Sequence, residues 1–273
     1  MLRKLSVFFL HHYKFRNAVF FSRRHIAPED LYPIFFNEAN LDKEKSFHVL
    51  CSGIIFVKTT FLKKLAVRFR VSLMLSRGGK GYDYPLADLI NSINVEVSGA
   101  STPKLIGFGY QSSWGLVNKI SLIYENLNKY TDGEKWLFEN PERAIFLTKK
   151  VHAKIIRLHS LRCYHLDIWL GNVMVPEDGS SDIYLIDFEQ YVSGVAADIE
   201  SLLGFMFGYF YSRGLTALVE EIDYDNLTFS ALSGVCDFRS KAFQEVYRLS
   251  KKGKVNRKMR RQFFTTQKVP SVI

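Results

Sequence analysis

The chain has 273 residues, of which 47% are hydrophobic and 23% charged, and 37 Lys and Arg against 27 Asp and Glu give a formal charge of +10. This composition excludes a disordered chain, and no stretch approaches the roughly 18 apolar residues that a membrane-spanning helix needs. The three cysteines, Cys51, Cys163 and Cys236, lack the spacing of a disulfide framework or a zinc cluster, which favours a reducing compartment such as the cytoplasm.

The positive charge is concentrated at the two ends of the chain. Eleven basic residues and one acid lie between Arg239 and Lys268, and residues 1–24 contain six basic residues and no acid. The rest of the chain is therefore net acidic. Basic ends of this kind serve proteins that contact an anionic membrane, a phosphorylated substrate or nucleic acid. A nucleic-acid-binding module is not favoured, because few aromatic and base-reading side chains are interleaved with the basic residues.

The first half of the chain has the β-branched and aromatic patterns of strands around one helix. The apolar residues of Pro85–Val97 recur at helical spacing. A polar connector follows at Asn126–Gly133. The strand patterns are the paired strands of Phe47–Thr60, with a turn at Ser52 and Gly53, and the single strands Leu105–Gly109 and Ile120–Tyr124.

From Pro141 the periodicity becomes helical. Apolar residues recur every three or four positions from Ala144 to Leu158, which predicts a long helix. The short apolar runs Asn172–Val175 and Ile183–Ile186 are separated by turn residues and predict a hairpin. Ser201–Ser212 and the chain from Phe243 onward predict further helices, the first of them buried.

The change of pattern near residue 130 predicts an α+β fold with two lobes. The expected boundaries are a basic N-terminal segment and lead-in at residues 1–46, an N-lobe that clamps a nucleotide at 47–130, a C-lobe with the catalytic loop and metal site at 131–238, and a basic C-terminal segment at 239–273.

The residues most suited to chemistry follow the long helix. A loop there holds His165, Asp167 and Asn172, and the predicted hairpin ends at Asp187. The first carboxylate can orient a hydroxyl, whereas the amide and the second carboxylate offer the hard oxygen ligands that Mg²⁺ requires. Phosphoryl transfer needs positioning, neutralised phosphate charge and a proton acceptor. This arrangement favours a phosphotransferase with an alcohol group as acceptor.

The same residues resemble those of a known superfamily. His165-Leu-Asp167, four further residues and Asn172 are similar to the catalytic loop of protein-kinase-like enzymes, and Asp187-Phe-Glu resembles their metal-binding Asp-Phe-Gly. The resemblance implies a two-lobed protein-kinase-like fold, with Asp167 as the catalytic residue and Asn172 and Asp187 as Mg²⁺ ligands. It also implies that His165 orients the loop, and that Asp198 in the following helix supports it.

The resemblance further implies an ATP site in the first half of the chain. Lys58 ends a strand pattern, as the ATP-binding lysine of the superfamily does. Asp88, at the start of the predicted helix, is its expected partner, with Glu96 and Asp83 as alternatives. The strand that ends at Glu125 looks like the hinge whose main chain binds adenine.

Within the superfamily, the chain is most similar to the bacterial lipopolysaccharide core heptose or Kdo kinases. The spacing from Asp88 to Thr102-Pro103 is similar to theirs, and the sequence has neither a GxGxxG loop nor an Ala-Pro-Glu segment. The resemblance covers roughly Phe47–Phe210. It implies an ATP- and Mg²⁺-dependent enzyme that phosphorylates a sugar hydroxyl of a lipid-linked glycan at the cytoplasmic face of the inner membrane. The dense basic run Lys251–Arg261 is then expected to face the anionic surface.

Two other interpretations remain open. A soluble choline-like or aminoglycoside-like small-molecule kinase would share the Asp187-Phe-Glu motif but would need an acidic pocket for a cationic acceptor. A pseudokinase scaffold is less favoured. Such proteins usually lack the ATP-binding Lys, the catalytic Asp, the Asn that follows it or the metal-binding Asp, and candidates for all four occur here.

Overall fold

The computed structural model describes residues 5, 7–36, 45–50, 53–77, 81–179, 182–194 and 198–255. The described residues form two compact units: residues up to 93 together with 103–128, and residues 94–102 together with those from 129 onward. Cys51, the predicted turn at Ser52 and the basic tail from residue 256 lie outside the described residues.

The first unit is built on a six-stranded antiparallel sheet in the order β1-β2-β5-β6-β4-β3. The strands predicted from the sequence are confirmed as β3 to β6, whereas the N-terminal hairpin of β1 and β2 was not predicted. All five residues of β2 are buried, so the strand shows no alternation that would reveal it. The strands are β1 (His11–Phe15), β2 (Ala18–Ser22), β3 (Lys45–Leu50), β4 (Gly53–Phe61), β5 (Leu105–Ser113) and β6 (Leu116–Glu125).

Three helices belong to the N-terminal half: α1 (Pro28–Phe36), α2 (Leu65–Leu73) and α3 (Leu86–Val97). The predicted helix is confirmed as α3, while α2 lies in a basic stretch for which the sequence predicted no element. Leu86 and Leu89 are fully buried in the apolar cluster on one face of the sheet. The hydroxyls of Ser92 and Tyr124 are 3.0 Å apart and join α3 to β6. These contacts fix the first two turns of α3 against the sheet.

The second unit is mainly helical. The long helix predicted from Pro141 is confirmed as α5, and the predicted hairpin is confirmed as the antiparallel pair β9 and β10. The predicted α+β class, with a strand-rich N-terminal part and a helical C-terminal part, is thus confirmed. The elements in chain order are β7 (Tyr130–Asp132), α4 (Gly133–Glu139), α5 (Ala144–Ser160), β8 (Cys163–His165), β9 (Val173–Pro176), β10 (Tyr184–Leu185), β11 (Tyr191–Ser193), α6 (Ile199–Phe210), α7 (Glu221–Leu232) and α8 (Lys241–Lys251).

Helix α6 crosses the core of this unit and packs closely against α8. A Cβ atom at Gly204 would lie 2.7 Å from the carbonyl oxygen of Phe243, and one at Gly208 would lie 2.5 Å from that of Tyr247. Because neither distance allows a side chain, the two glycines let the helix backbones approach each other. Every residue from Ser201 to Phe210 is buried, as the sequence predicted.

Lys251, at the start of the basic run Lys251–Arg261, is buried, and the part of that run beyond Val255 lies outside the described residues. The side chain of Lys251 is 5% exposed, and its Nζ lies 2.6 Å from an oxygen of Glu221 and bonds to Asp225. Tyr247 also donates to Asp225, at 2.6 Å. Acidic residues on α7 therefore neutralise this lysine inside the unit, which the charge run alone could not show. Of the helices that the structure describes, none is both long and apolar enough to span a membrane.

The core of the second unit contains a titratable group, His152 on α5. Its ring is 4.7 Å from that of Phe207 and 5.2 Å from that of Tyr224, measured between centroids. Burial in these apolar surroundings lowers the pKa of His152 from 6.5 to about 3. The folded protein thus keeps the ring neutral at pH values where the unfolded chain binds a proton.

We predict that the free energy of unfolding falls as the pH drops below 6.5, because the depressed pKa of His152 makes the unfolded state bind more protons. Above pH 6.5 the neutral ring of His152 causes no loss of stability, and at pH 5 the loss of folding free energy reaches about 2 kcal/mol. Urea unfolding at pH 7 and pH 5 measures it. His152→Met should remove this part of the pH dependence. The control Lys149→Gln, at an exposed position of the same helix, should keep it. If the free energy of unfolding changed with pH equally in His152→Met and the wild type, the assignment to His152 would be contradicted.

Candidate active site

A buried histidine organises the loop that follows α5. His165 is completely buried, and its Nε2 donates to the carbonyl oxygen of Ile186 at 2.9 Å, while its Nδ1 accepts from the N–H of Asp167 at 3.1 Å. This pattern requires the neutral ring with its proton on Nε2. Burial lowers the pKa of His165, against the raising effects of the Ile186 carbonyl and the charges of Asp167 and Asp187. The sequence-based expectation that His165 orients the loop agrees with this geometry.

The carboxylate of Asp167 is held by a tyrosine from α6. The hydroxyl of Tyr209 donates to Oδ1 of Asp167 at 3.0 Å. The main-chain carbonyl oxygen of Asp167 accepts from Nδ2 of Asn172 at 2.9 Å. This bond closes the loop across five residues. Because its nitrogen makes this bond, the amide of Asn172 presents its oxygen in another direction, where it can serve as a cation ligand.

Asp187 is brought next to Asn172 by the main chain. The N–H of Ile186 donates to the carbonyl oxygen of Asn172 at 3.0 Å. Asp187 itself has a φ of 65°, in the left-handed region that L-residues other than Asn and Asp rarely adopt. The buried Phe188, whose ring centroid lies 4.5 Å from that of His165, anchors the turn. Main-chain and side-chain hydrogen bonds therefore bring together the segments that carry the three candidates predicted from the sequence, Asp167, Asn172 and Asp187.

The oxygen donors of this loop fit a magnesium ion. Among the described residues, no group of three or more His, Cys, Asp or Glu side chains could hold a metal on its own. Mg²⁺ in phosphotransferases is usually held by one or two protein oxygens and completed by phosphates and water. Asn172 and Asp187, with one amide and one carboxylate, match this requirement.

In the first unit, Lys58 and Asp88 form a buried ion pair. Nζ of Lys58 lies 2.9 Å from Oδ2 of Asp88, and their side chains are 12% and 2% exposed. Nζ also lies 5.2 Å from the ring centroid of Tyr84, which gives a cation–π contact. Asp88 belongs to the first turn of α3, where the helix dipole favours a carboxylate. Lys58 thus contacts the acid that the sequence favoured as its partner.

The remaining candidates occupy other positions. Asp83 bonds to Arg70, with 2.6 Å between its Oδ2 and Nε, so this alternative belongs to another ion pair. Glu125 ends β6, where its N–H donates to the carbonyl oxygen of Lys104 and its Oε1 accepts from the N–H of Lys104. The side chain of Glu125 therefore anchors the strand end. Asp198 caps α6 by accepting from the N–H of Ser201.

Three residues beside the loop were missed from the sequence as members of the site. Tyr209 lies in a run interpreted only as a buried helix, although a buried tyrosine hydroxyl usually needs a partner and could have been the signal. Trp169 lies within the loop, and Arg213 lies 5.5 Å from its ring centroid. Neither carries a motif that would have singled it out.

Part of the chain matches a known family model. Residues 91–198 match the model of a family described as "Lipopolysaccharide kinase (Kdo/WaaP) family". The segment includes Asp167, Asn172 and Asp187 and begins after Lys58 and Asp88. The predicted resemblance to lipopolysaccharide kinases is therefore confirmed.

One similar solved structure is described as "WaaP in complex with acyl carrier protein". The alignment covers 77% of this chain and 86% of the chain in that structure, with a TM-score of 0.48 and 14% sequence identity. No curated protein sequence matches this chain.

Proposed function

We propose that this protein is a kinase that transfers the γ-phosphoryl group of ATP to a sugar hydroxyl of the lipopolysaccharide core, a heptose or Kdo, at the cytoplasmic face of the inner membrane. The observation that carries the proposal is the arrangement of Asp167, Asn172 and Asp187 around the buried His165. It lies within the segment that matches the lipopolysaccharide kinase model.

Asp167 is the catalytic residue of this proposal. It accepts the proton of the acceptor hydroxyl while the hydroxyl oxygen forms a bond to the γ-phosphorus and the bond to the leaving ADP oxygen breaks. Tyr209 and the His165-bonded main chain fix the carboxylate in the loop. This fixed position supplies the orientation on which phosphoryl transfer mainly depends.

Lys58 in the first unit and a metal ion at Asn172 and Asp187 in the second would each counter phosphate charge. Lys58, held by Asp88, would bind ATP phosphate oxygens, and the main chain near Glu125 would contact adenine. Asn172 and Asp187 would hold Mg²⁺, which neutralises phosphate charge when bound. Because Asp88 is buried, removal of Lys58 would take away the cation that pairs with its carboxylate, a change that typically costs about 3–5 kcal/mol.

We predict that Asp167→Asn lowers kcat for phosphate transfer about 10²- to 10⁴-fold, because it removes the proton acceptor. ATP binding should change little, since Asp167 does not belong to the nucleotide clamp. Transfer of labelled phosphate from ATP to deacylated core oligosaccharide measures kcat, and equilibrium dialysis measures ATP binding. The matched control is Asp182→Asn, an exposed aspartate of the same unit that pairs with Lys154. Wild-type kcat in Asp167→Asn would contradict the assigned role.

A peripheral membrane contact also forms part of the proposal. The tip of the β5–β6 hairpin and helix α2 expose the hairpin patch, which we define as Leu65, Phe69 and Trp114. Trp114 is 98% exposed, Leu65 67% and Phe69 51%. The guanidinium of Arg68 donates to the carbonyl oxygens of Ser113 and Leu116 and fixes the hairpin to α2.

The charge next to the hairpin patch favours an anionic bilayer as its partner. Lys63 and Lys64 precede α2 and are both exposed. Aromatic and aliphatic side chains beside lysines are the composition with which peripheral proteins enter the interface of anionic membranes. This surface adds an apolar contact to the electrostatic one expected from the basic ends of the chain.

We predict that the double variant Phe69→Ser/Trp114→Ser binds phosphatidylglycerol vesicles about tenfold more weakly, because it loses most of the apolar contact. Co-sedimentation with these vesicles, and with neutral phosphatidylcholine vesicles as a reference, measures the effect. Phe138→Ser, which changes an 87% exposed phenylalanine of the other unit, is the control and should bind like the wild type. If the double variant binds normally and only truncation after residue 255 releases the protein, the basic tail alone makes the contact.

A further inference from the structure

A kink at the end of α6 returns the chain to the catalytic loop. Tyr211–Leu215 form a single π-helical turn in which Arg213 and Gly214 leave helical geometry, and Gly214 has a φ of 144°. A Cβ atom at Gly214 would lie 2.5 Å from Cδ1 of Leu170, a residue of the loop. Gly214 is therefore required both for the backbone conformation and for the close approach to Leu170.

The kink places the guanidinium of Arg213 over two aromatic rings of the site. Its Cζ lies 5.5 Å from the ring centroid of Trp169 and 5.9 Å from that of Tyr209. Tyr209 in turn bonds to the carboxylate of Asp167. The cation is thus separated from the proposed catalytic residue by a single side chain.

The surroundings of Arg213 leave its guanidinium accessible to a ligand. It is exposed, and within the described part of the chain no carboxylate lies at ion-pair distance from it. Cation–π contacts with two rings hold the exposed guanidinium in place, which reduces the entropy lost on binding. A held guanidinium of this kind suits a carboxylate or phosphate, with which it can make two parallel hydrogen bonds.

We propose that Arg213 binds an anionic group of the acceptor, a sugar carboxylate or a phosphate that neighbours the hydroxyl to be phosphorylated. The inference rests on the proposed function, because it places the acceptor at Asp167. Arg213 also distinguishes a lipopolysaccharide kinase from a kinase for cationic small molecules, because a positively charged acceptor would be repelled by this arginine. Tyr209 is a positioning residue in the same arrangement, because it acts through Asp167.

The experiment measures acceptor binding and turnover separately. Isothermal titration of deacylated core oligosaccharide into the wild type, Arg213→Gln and Arg213→Lys gives acceptor affinity without need of turnover. The control is Arg239→Gln, which removes another exposed arginine with a cation–π contact, its Cζ 5.8 Å from the ring centroid of Phe238. Three acceptor preparations are compared: untreated, with its carboxylates reduced to alcohols, and with its phosphates removed.

We expect Arg213→Gln to weaken binding of the untreated acceptor at least tenfold, Arg213→Lys to weaken it less, and Arg239→Gln to leave it unchanged. One of the two treatments should weaken wild-type binding to the same extent and abolish the effect of Arg213→Gln, which identifies the anionic group. In the transfer assay, Arg213→Gln should raise the acceptor KM with little change in kcat, whereas Tyr209→Phe should lower kcat with little change in KM.

Unchanged acceptor affinity in Arg213→Gln, or no sensitivity of wild-type binding to either treatment, would overturn the inference while leaving the kinase assignment intact. Arginine-dependent binding without any phosphate transfer from ATP would support the inference and contradict the proposed function. A wild type that does not bind the untreated acceptor overturns the inference as well.

Discussion

The candidate site depends on one buried imidazole that bonds in two directions. His165 accepts from the N–H of Asp167 and donates to the carbonyl oxygen of Ile186, so it joins the loop to the strand end that carries Asp187. Both bonds exist together only while the ring is neutral, because a protonated ring has no acceptor nitrogen. Burial lowers the pKa of His165 and keeps it in this state. The charged residues of the loop are therefore positioned by a neutral imidazole that is buried away from water.

Each of the two units holds its own prearranged groups. In the second unit, α6 supplies Tyr209 to Asp167, and the kink at Gly214 supplies Arg213 to the loop. In the first unit, the sheet and the first turn of α3 hold Lys58 against Asp88. In both cases a side chain is fixed before any ligand binds, so little orientation has to be acquired during the reaction. This preorganisation is the physical basis of the proposed kinase activity.

The sequence was sufficient where the relevant pattern is local. Asp167 and Asn172 are five residues apart in one loop, and the helix of Asp88 has a regular apolar spacing, so both were recognisable. Residues brought together by tertiary packing were not. Tyr209 reaches Asp167 across 42 residues of sequence, and Lys251 is buried only because α7 carries acidic partners for it. The N-terminal hairpin escaped prediction because β2 is buried on both faces and shows no alternation.

The central claim is that this protein adds one phosphate to a sugar of the lipopolysaccharide core. Mass spectrometry of core oligosaccharide tests it most directly, in cells that express the wild type, the Asp167→Asn variant or no protein. We expect one phosphate at a defined heptose or Kdo only in cells that express the wild type. Identical phosphorylation of the core in all three would contradict it.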